Sequence, residues 1–253
     1  MREQFAYCKV AISPVRQFSS DTSEMVTQLL FGEVITVIKQ EDKWWKIQNY
    51  FDNYVGWCDP KQLTLLTKKE VNRWLDGINF ERSKTRLLNA DQGVLPIFKG
   101  SLIPSGEVED FNIGNTKYRF ESAPEIYTNK GAYEIAMEYL NAPYLWGGRT
   151  PFGIDCSGLT QAVFRFLGIN LPRDASQQVD SGRQVSFDEI ISGDVAFFHN
   201  DDGKIVHVGI LNEKKQIIHA SGYVRINKFD TFGILSDSEK FYTHKLNSIK
   251  RMQ

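Results

Sequence analysis

Between a loop rich in glycine and the closing residues Gly168 and Pro172 runs one short amphipathic stripe: Leu159, Val163, Phe166 and Leu167, spaced i, i+4, i+7 and i+8. That spacing puts apolar side chains on one face of an α-helix and predicts a core-facing helix with Cys156 at its N-terminus. A second helical segment carries Ala132, Ile135, Ala136, Tyr139 and Leu140 and stops before Pro143, because proline breaks the helix there. Most other apolar residues fall in short runs between turn residues, which reads as sheet. The expected class is α+β, with the cysteine-bearing helix packed on an antiparallel sheet.

Upstream, the runs 11–15, 25–40, 43–48 and 54–59 alternate with turns. Val34, Ile35, Val37 and Ile38 are β-branched, and Trp44, Trp45, Tyr54 and Trp57 add strand-favouring aromatics, so residues 1–68 are expected to form a small β-barrel. The tryptophans fit core volume better than a stacking platform, since a barrel of this size needs them. Residues 69–123 repeat the character more weakly. The runs 93–104 and 111–122 are punctuated by Pro96, Gly100, Pro104, Gly106 and Gly114, which predicts a second small barrel of short strands. The stretch 71–90 reads as either a helix or an extended link. After Ala123-Pro124 the composition changes, which defines a third unit over 124–253.

The chain's 30 basic and 31 acidic residues nearly cancel. No one-signed field therefore argues for nucleic acid or a membrane surface as partner. Three scattered cysteines, Cys8, Cys58 and Cys156, suit free thiols better than a disulfide framework or a metal knuckle, and no metal or cofactor is expected. Cys8 and Cys58 read as strand-packing thiols. The first residues lack the apolar core of a secretory signal, and no apolar run approaches the roughly 20 residues that span a bilayer. A cytoplasmic location is the expectation.

The chemistry concentrates in the third unit. Residues 194–199, 207–211 and 216–220 read as three strands, the last two forming a hairpin. A turn centred on Glu213 would set His207 directly opposite His219, near enough for their rings to hydrogen-bond. A thiol attacks an amide as thiolate, so Cys156 needs help: the positive end of its helix dipole and an imidazolium from His207 both favour the anion. His207 would then protonate the leaving amine, and His219 would fix the tautomer and rotation of His207.

The ordered set Tyr144-Leu145-Trp146-Gly147-Gly148, Gly153-Ile154-Asp155-Cys156-Ser157-Gly158, Gly193-Asp194, His207-Val208-Gly209-Ile210 and Ile218-His219-Ala220 resembles the catalytic domain of the NlpC-type, papain-like cysteine peptidases of bacterial cell walls. With SH3-like barrels upstream, the chain is similar to the γ-D-glutamyl-L-diamino-acid endopeptidases, also called dipeptidyl-peptidase VI. The resemblance implies a cut between γ-D-glutamate and meso-diaminopimelate or L-lysine in murein peptides with a free N-terminal L-alanine. It implies further that Glu24, Tyr54 and Asp155 hold the alanine ammonium. Tyr144 would support the oxyanion hole with the Cys156 N–H, and Ser157, Asp174 and Trp146 would contact substrate. The chain departs from many relatives at Ala175, where they carry a hydroxyl.

Each residue also has a plainer reading. Cys156 could be an inert buried thiol, His207 and His219 structural strand residues, and Asp155 a helix N-cap. His199 and His244 read as surface or structural. At the level of the whole chain the alternatives are a non-catalytic cell-wall-binding protein, or a peptidoglycan amidase or endopeptidase of different bond specificity.

Overall fold

The computed structural model describes residues 3–123, 129–235 and 241–253. It divides into two compact units, Met1–Thr128 and Asn129–Gln253. Pro124, at the expected boundary of the third unit, lies outside the described residues.

In the first unit, strands β1 (Gln4–Cys8), β2 (Ile12–Arg16), β3 (Met25–Leu30), β4 (Val34–Glu41), β5 (Trp44–Asn49), β6 (Val55–Cys58) and β7 (Leu63–Leu66) form one antiparallel sheet in the order β3-β2-β6-β5-β4-β1-β7. The sheet closes over a core that includes Ala6, Val15, Leu29, Ile35 and Ile47, with Trp45 packed against it. Cys8 and Cys58 are buried here as free thiols. Helix α1 (Lys68–Leu75) follows, started by a capping box in which Glu70 N–H donates to the Thr67 hydroxyl and Thr67 N–H to the Glu70 carboxylate. Next come β8 (Ile78–Phe80), β9 (Thr85–Ala90), β10 (Gly93–Phe98), β11 (Leu102–Pro104), β12 (Asp110–Ile113) and β13 (Thr116–Phe120). They pair as a four-stranded sheet, β10-β9-β13-β12, and a ribbon, β11-β8. The ambiguous stretch 71–90 is thus part helix and part strand. Phe5, Tyr7, Phe31 and Val34 share one apolar cluster with Trp74, Leu88, Tyr118 and Phe120, so the two β regions of this unit are packed on a common core.

The second unit begins with α2 (Ala132–Met137) and includes two short strands, β14 (Arg149–Thr150) and β15 (Gly153–Ile154), followed by α3 (Cys156–Phe166) and α4 (Ala175–Gln178). Its sheet comprises β16 (Arg183–Gln184), β17 (Val195–His199), β18 (Ile205–Leu211), β19 (Gln216–Ser221), β20 (Tyr223–Phe229), β21 (Gly233–Leu235) and β22 (Tyr242–Arg251) in the order β16-β22-β17-β18-β19-β20-β21. An additional β21–β22 pairing closes the strands on themselves. Only three of these strands are evident in the apolar pattern. Each strand alternates, so the sheet carries two cores. One face, with Val195, Phe197, Val208, Ile210, Ile218 and Val224, packs against Leu159 and Val163 of α3 and Ile135 of α2. The other, with Ala196, Phe198, Leu211, Ile217, Phe229 and Ile234, forms a separate cluster.

Candidate active site

Asp155 starts α3 in extended backbone, and its carboxylate takes the Gly158 N–H at 2.6 Å, which caps the helix and leaves Cys156 as its first residue. A side chain at Gly158 would bring a Cβ to 2.4 Å from the Gly148 carbonyl oxygen, so the glycine is what lets the preceding loop fold back over the helix start. The same carboxylate accepts Gly147 N–H at 2.8 Å, Arg173 Nη1 at 3.0 Å, Arg173 Nη2 at 2.5 Å and the Ser157 hydroxyl at 3.3 Å. Arg173 also donates to Ser157 Oγ at 2.8 Å. Both charges are buried, with Arg173 1% and Asp155 4% exposed. The N-cap reading of Asp155 holds, and its two oxygens already serve five internal contacts.

Cys156 is 6% exposed, and the N–H groups of Val208 and Ser157 lie near enough to its sulfur to favour the thiolate. Val208 adjoins His207 in β18. Strands β18 and β19 are in register at Ile210–Ile218 and Leu211–Ile217, which corrects the hairpin alignment read from sequence. The turn holds Glu213, Lys214 and Lys215, the last at φ 56°, between Asn212 and Gln216, and Asn212 N–H donates to the Gln216 carbonyl. This shifts the pairing by two, so His219 lies opposite Gly209 and diagonal to His207. A Cβ at Gly209 would stand 2.9 Å from the His219 Cβ. That missing side chain leaves His219 room against β18, and His207 Nε2 and His219 Nδ1 are 2.7 Å apart.

Two residues that sequence reading passed over complete the surroundings. Asn227 on β20 is 2% exposed, and its Oδ1 lies 3.0 Å from His219 Nε2. His244 on β22, expected to be a surface or structural residue, stacks on His207 with ring centroids 4.1 Å apart. The sequence signal for Asn227 is slight: a polar side chain two residues beyond Arg225, the cross-strand partner of His219, so on the same face of the sheet. His244 has no local signal, because β22 comes to the site by long-range pairing with β17 and β21.

Burial governs the electrostatics. It pushes the Cys156 thiol up to about 12, and the Asp155 charge adds to this while the two N–H groups and Arg173 oppose it. Burial also holds His207 well below the usual imidazole range, with His219 and His244 contributing. Near neutral pH the unliganded pair is therefore thiol and imidazole. The sequence argument gave the helix dipole and an imidazolium the larger part; desolvation of a nearly fully buried pair outweighs them. Burial, followed by the charge of Cys156, raises the Tyr144 phenol to about 12, so this half-buried group stays protonated as a hydrogen-bond donor.

His219 is lowered to about 4, first by burial and then by His244 and Arg225, against the raising effect of Asn227. An unfolded chain takes up a proton at this histidine below about pH 6.5 and the folded one does not until about pH 4. Stability at this residue is present above that window and falls as pH drops through it, by about 3 kcal/mol in all. Urea unfolding at pH 7, 6, 5 and 4.5 should show at least that slope, since the lowered His207 and His244 add to it, and His219→Gln should make it shallower; equal slopes in the two proteins would contradict a neutral buried His219.

The remaining predicted site residues are distributed as follows. Ser157 is buried in the Arg173 network, Asp174 caps the short α4, and Trp146 is 57% exposed on the loop before β14. Glu24 is exposed just before β3 and Tyr54 half-buried just before β6; both belong to the first unit. Among the described residues no group of three or more His, Cys, Asp or Glu side chains could hold a metal ion, and no helix is long and apolar enough to cross a membrane.

Residues 141–251 match the NlpC/P60 family, and residues 15–63 match the bacterial dipeptidyl-peptidase Sh3 domain. The chain is 27% identical over 244 residues to the gamma-D-glutamyl-L-lysine dipeptidyl-peptidase of Bacillus subtilis strain 168, covering 89% of this chain and 80% of that protein. It is 26% identical over 228 residues to the protein of the same name from Bacillus cereus ATCC 10987, covering 79% and 68%. The crystal structure of an NlpC/P60 family protein from Bacillus cereus ATCC 10987 superposes with a TM-score of 0.79 at 20% identity over 98% of this chain and 99% of that one. At that identity the likeness carries the fold.

Proposed function

For a chain that joins an NlpC/P60 cysteine-peptidase domain to a bacterial dipeptidyl-peptidase SH3 domain, we propose hydrolysis of the bond between γ-D-glutamate and an L-diamino acid, meso-diaminopimelate or L-lysine, in murein peptides with a free N-terminal L-alanine. The observation that supports the chemical part is Cys156 at a helix start with its sulfur near the Val208 N–H, the residue that follows His207 in β18, where His207 is tied to a second histidine at 2.7 Å. That arrangement suits acyl transfer to sulfur.

In this reading the Cys156 sulfur attacks the γ-carbonyl carbon while its proton passes to His207. The negative oxygen of the tetrahedral intermediate is met by the Cys156 N–H and the Tyr144 hydroxyl. His207 returns the proton to the amine of the diamino acid, which leaves, and a thioester links the γ-glutamyl carbon to sulfur. Water deprotonated by His207 then attacks that thioester, releasing L-Ala-γ-D-Glu and restoring the thiol. His219 keeps the His207 ring oriented throughout. Ser157, Asp174 and Trp146 are proposed to contact substrate.

Recognition of the alanine ammonium is assigned by resemblance to Glu24, Tyr54 and Asp155. Given the five internal contacts of the Asp155 carboxylate, we assign that residue chiefly to building the Cys156 turn and keep Glu24 and Tyr54 as the proposed acceptors. A need for a free amino terminus restricts the enzyme to released fragments, which suits recycling in the cytoplasm. Mass spectrometry of products from L-Ala-γ-D-Glu-L-Lys and its diaminopimelate counterpart, each with free or acetylated alanine, tests the whole reading. Acetylation should lower kcat/KM at least about 10-fold, the scale of a lost hydrogen bond to a charged group. Equal turnover of both forms would refute amine recognition, and cleavage at another bond would refute the specificity.

A further inference from the structure

Asn227 extends the histidine pair by one more group, and its amide can be oriented without ambiguity. Its Nδ2 lies 3.0 Å from the main-chain carbonyl oxygen of Leu235, and a carbonyl only accepts, so this end of the amide is the NH2 end. The opposite end, Oδ1, is then the atom 3.0 Å from His219 Nε2. An amide oxygen also only accepts, so His219 Nε2 carries the hydrogen. In a neutral imidazole the other nitrogen is bare, and burial keeps His219 neutral. His219 Nδ1 must therefore accept, and across the 2.7 Å contact the donor is His207 Nε2–H. The neutral His207 is left with its lone pair on Nδ1, the nitrogen free to take a proton from the Cys156 thiol.

The geometry points to Asn227 as a positioning residue that sets the tautomers of both histidines from the neighbouring strand β20, so that His207 presents a basic Nδ1. The Leu235 carbonyl on β21 gives the direction of the whole chain, from His207 through His219 and Asn227. Without it His219 could turn its Nδ1–H toward His207, which would then have to accept at Nε2 and carry its own hydrogen on Nδ1. That tautomer has no lone pair for the thiol proton. Two features make the lock rigid. Asn227 is 2% exposed, so water does not compete for either end of the amide. Leu235 lies beside β20, in register with Lys228, so the carbonyl that holds the amide belongs to the same closed sheet. The inference rests on Cys156 and His207 reacting as proposed, and it holds for whichever amide they cleave.

Nitrogen-15 chemical shifts of the imidazoles, recorded at pH 7.5 on the wild-type protein, read the tautomers directly and need no substrate. Protonated Nε2 and bare Nδ1 on both His207 and His219 are expected; a hydrogen on His219 Nδ1 would overturn the proposal even if the enzyme cleaves the bond named above. Asn227→Leu should lower kcat about 10- to 100-fold with little change in KM, the range found when a partner orienting a histidine is removed, and should give mixed tautomers. Asn227→Asp keeps an oxygen acceptor for His219 Nε2–H and should retain the wild-type tautomers. Its added charge should shift the acid limb of kcat upward in pH, because it favours protonated imidazole. Equal loss in the two variants, with wild-type tautomers and pH profile in both, would assign Asn227 to the fold alone.

Discussion

Cys156→Ala should abolish release of L-Ala-γ-D-Glu from the free tripeptide, with a loss of at least about 10⁴-fold, the scale on which removing a covalent nucleophile acts. The fold should survive. The sulfur packs at the edge of the apolar cluster between α3 and the sheet, and its removal deletes one atom, a cost of about 1 kcal/mol when the neighbours relax little. The companion measurement is a thermal melt: a shift of a few degrees with activity gone separates chemistry from packing. Product formation above about 1% of wild type by mass spectrometry would remove Cys156 from the mechanism.

The largest effect on stability is expected at Arg173. Arg173→Met leaves the Asp155 carboxylate buried and still facing Gly147 and Gly158 but without its cation. Truncating one partner of a buried ion pair costs about 3–5 kcal/mol. Urea unfolding should register that loss, and activity should fall with it because the same carboxylate fixes the start of α3. The double variant Asp155→Asn, Arg173→Met should recover much of the stability, since the uncompensated charge is gone while the amide oxygen can still accept from Gly158. A single-variant loss below about 1 kcal/mol would mean that solvent reaches the pair and that its burial matters little. Recovery of stability without recovery of activity would separate the architectural part of Asp155 from its chemical part.

Local signals and long-range ones divide along physical lines in this protein. The helix that begins at Cys156 was legible because its stripe, its cap and its terminating glycine all lie within the fourteen residues from Asp155 to Gly168. The short strands of the first unit were legible for the same reason, through their β-branched residues and turns. The hairpin was legible as an element but not in register. With Lys215 in the left-handed region the turn centres on Lys214 rather than Glu213, and an exposed lysine gives no hint of that conformation. His207 and His219 consequently meet on a diagonal, with Gly209 supplying the space.

Beyond the hairpin the pattern lost its meaning. Strand β20 carries Arg225 and Asn227 on the face it shares with His219, and β22 reads YTHKLNSIKR, so neither shows the apolar alternation that marks a half-buried strand. The Asn227 amide meets His219 and the Leu235 carbonyl, and the Thr243 hydroxyl donates to the Ile234 carbonyl, all on other strands. Asn227 reaches the site through the pairing of β20 with β19, and His244 through the long-range pairing of β22 with β17 and β21.

The sequence by itself determined which chemistry the second unit can hold, because a thiol at a capped helix start and two histidines on neighbouring strands are set by residue type and short-range spacing. Tertiary structure decided the protonation and direction of that chemistry. Desolvation, which depends on everything packed around a group, makes the resting pair neutral despite the helix dipole. The side from which His207 offers its lone pair is fixed by a carbonyl at Leu235, a residue that no local pattern connects to Cys156.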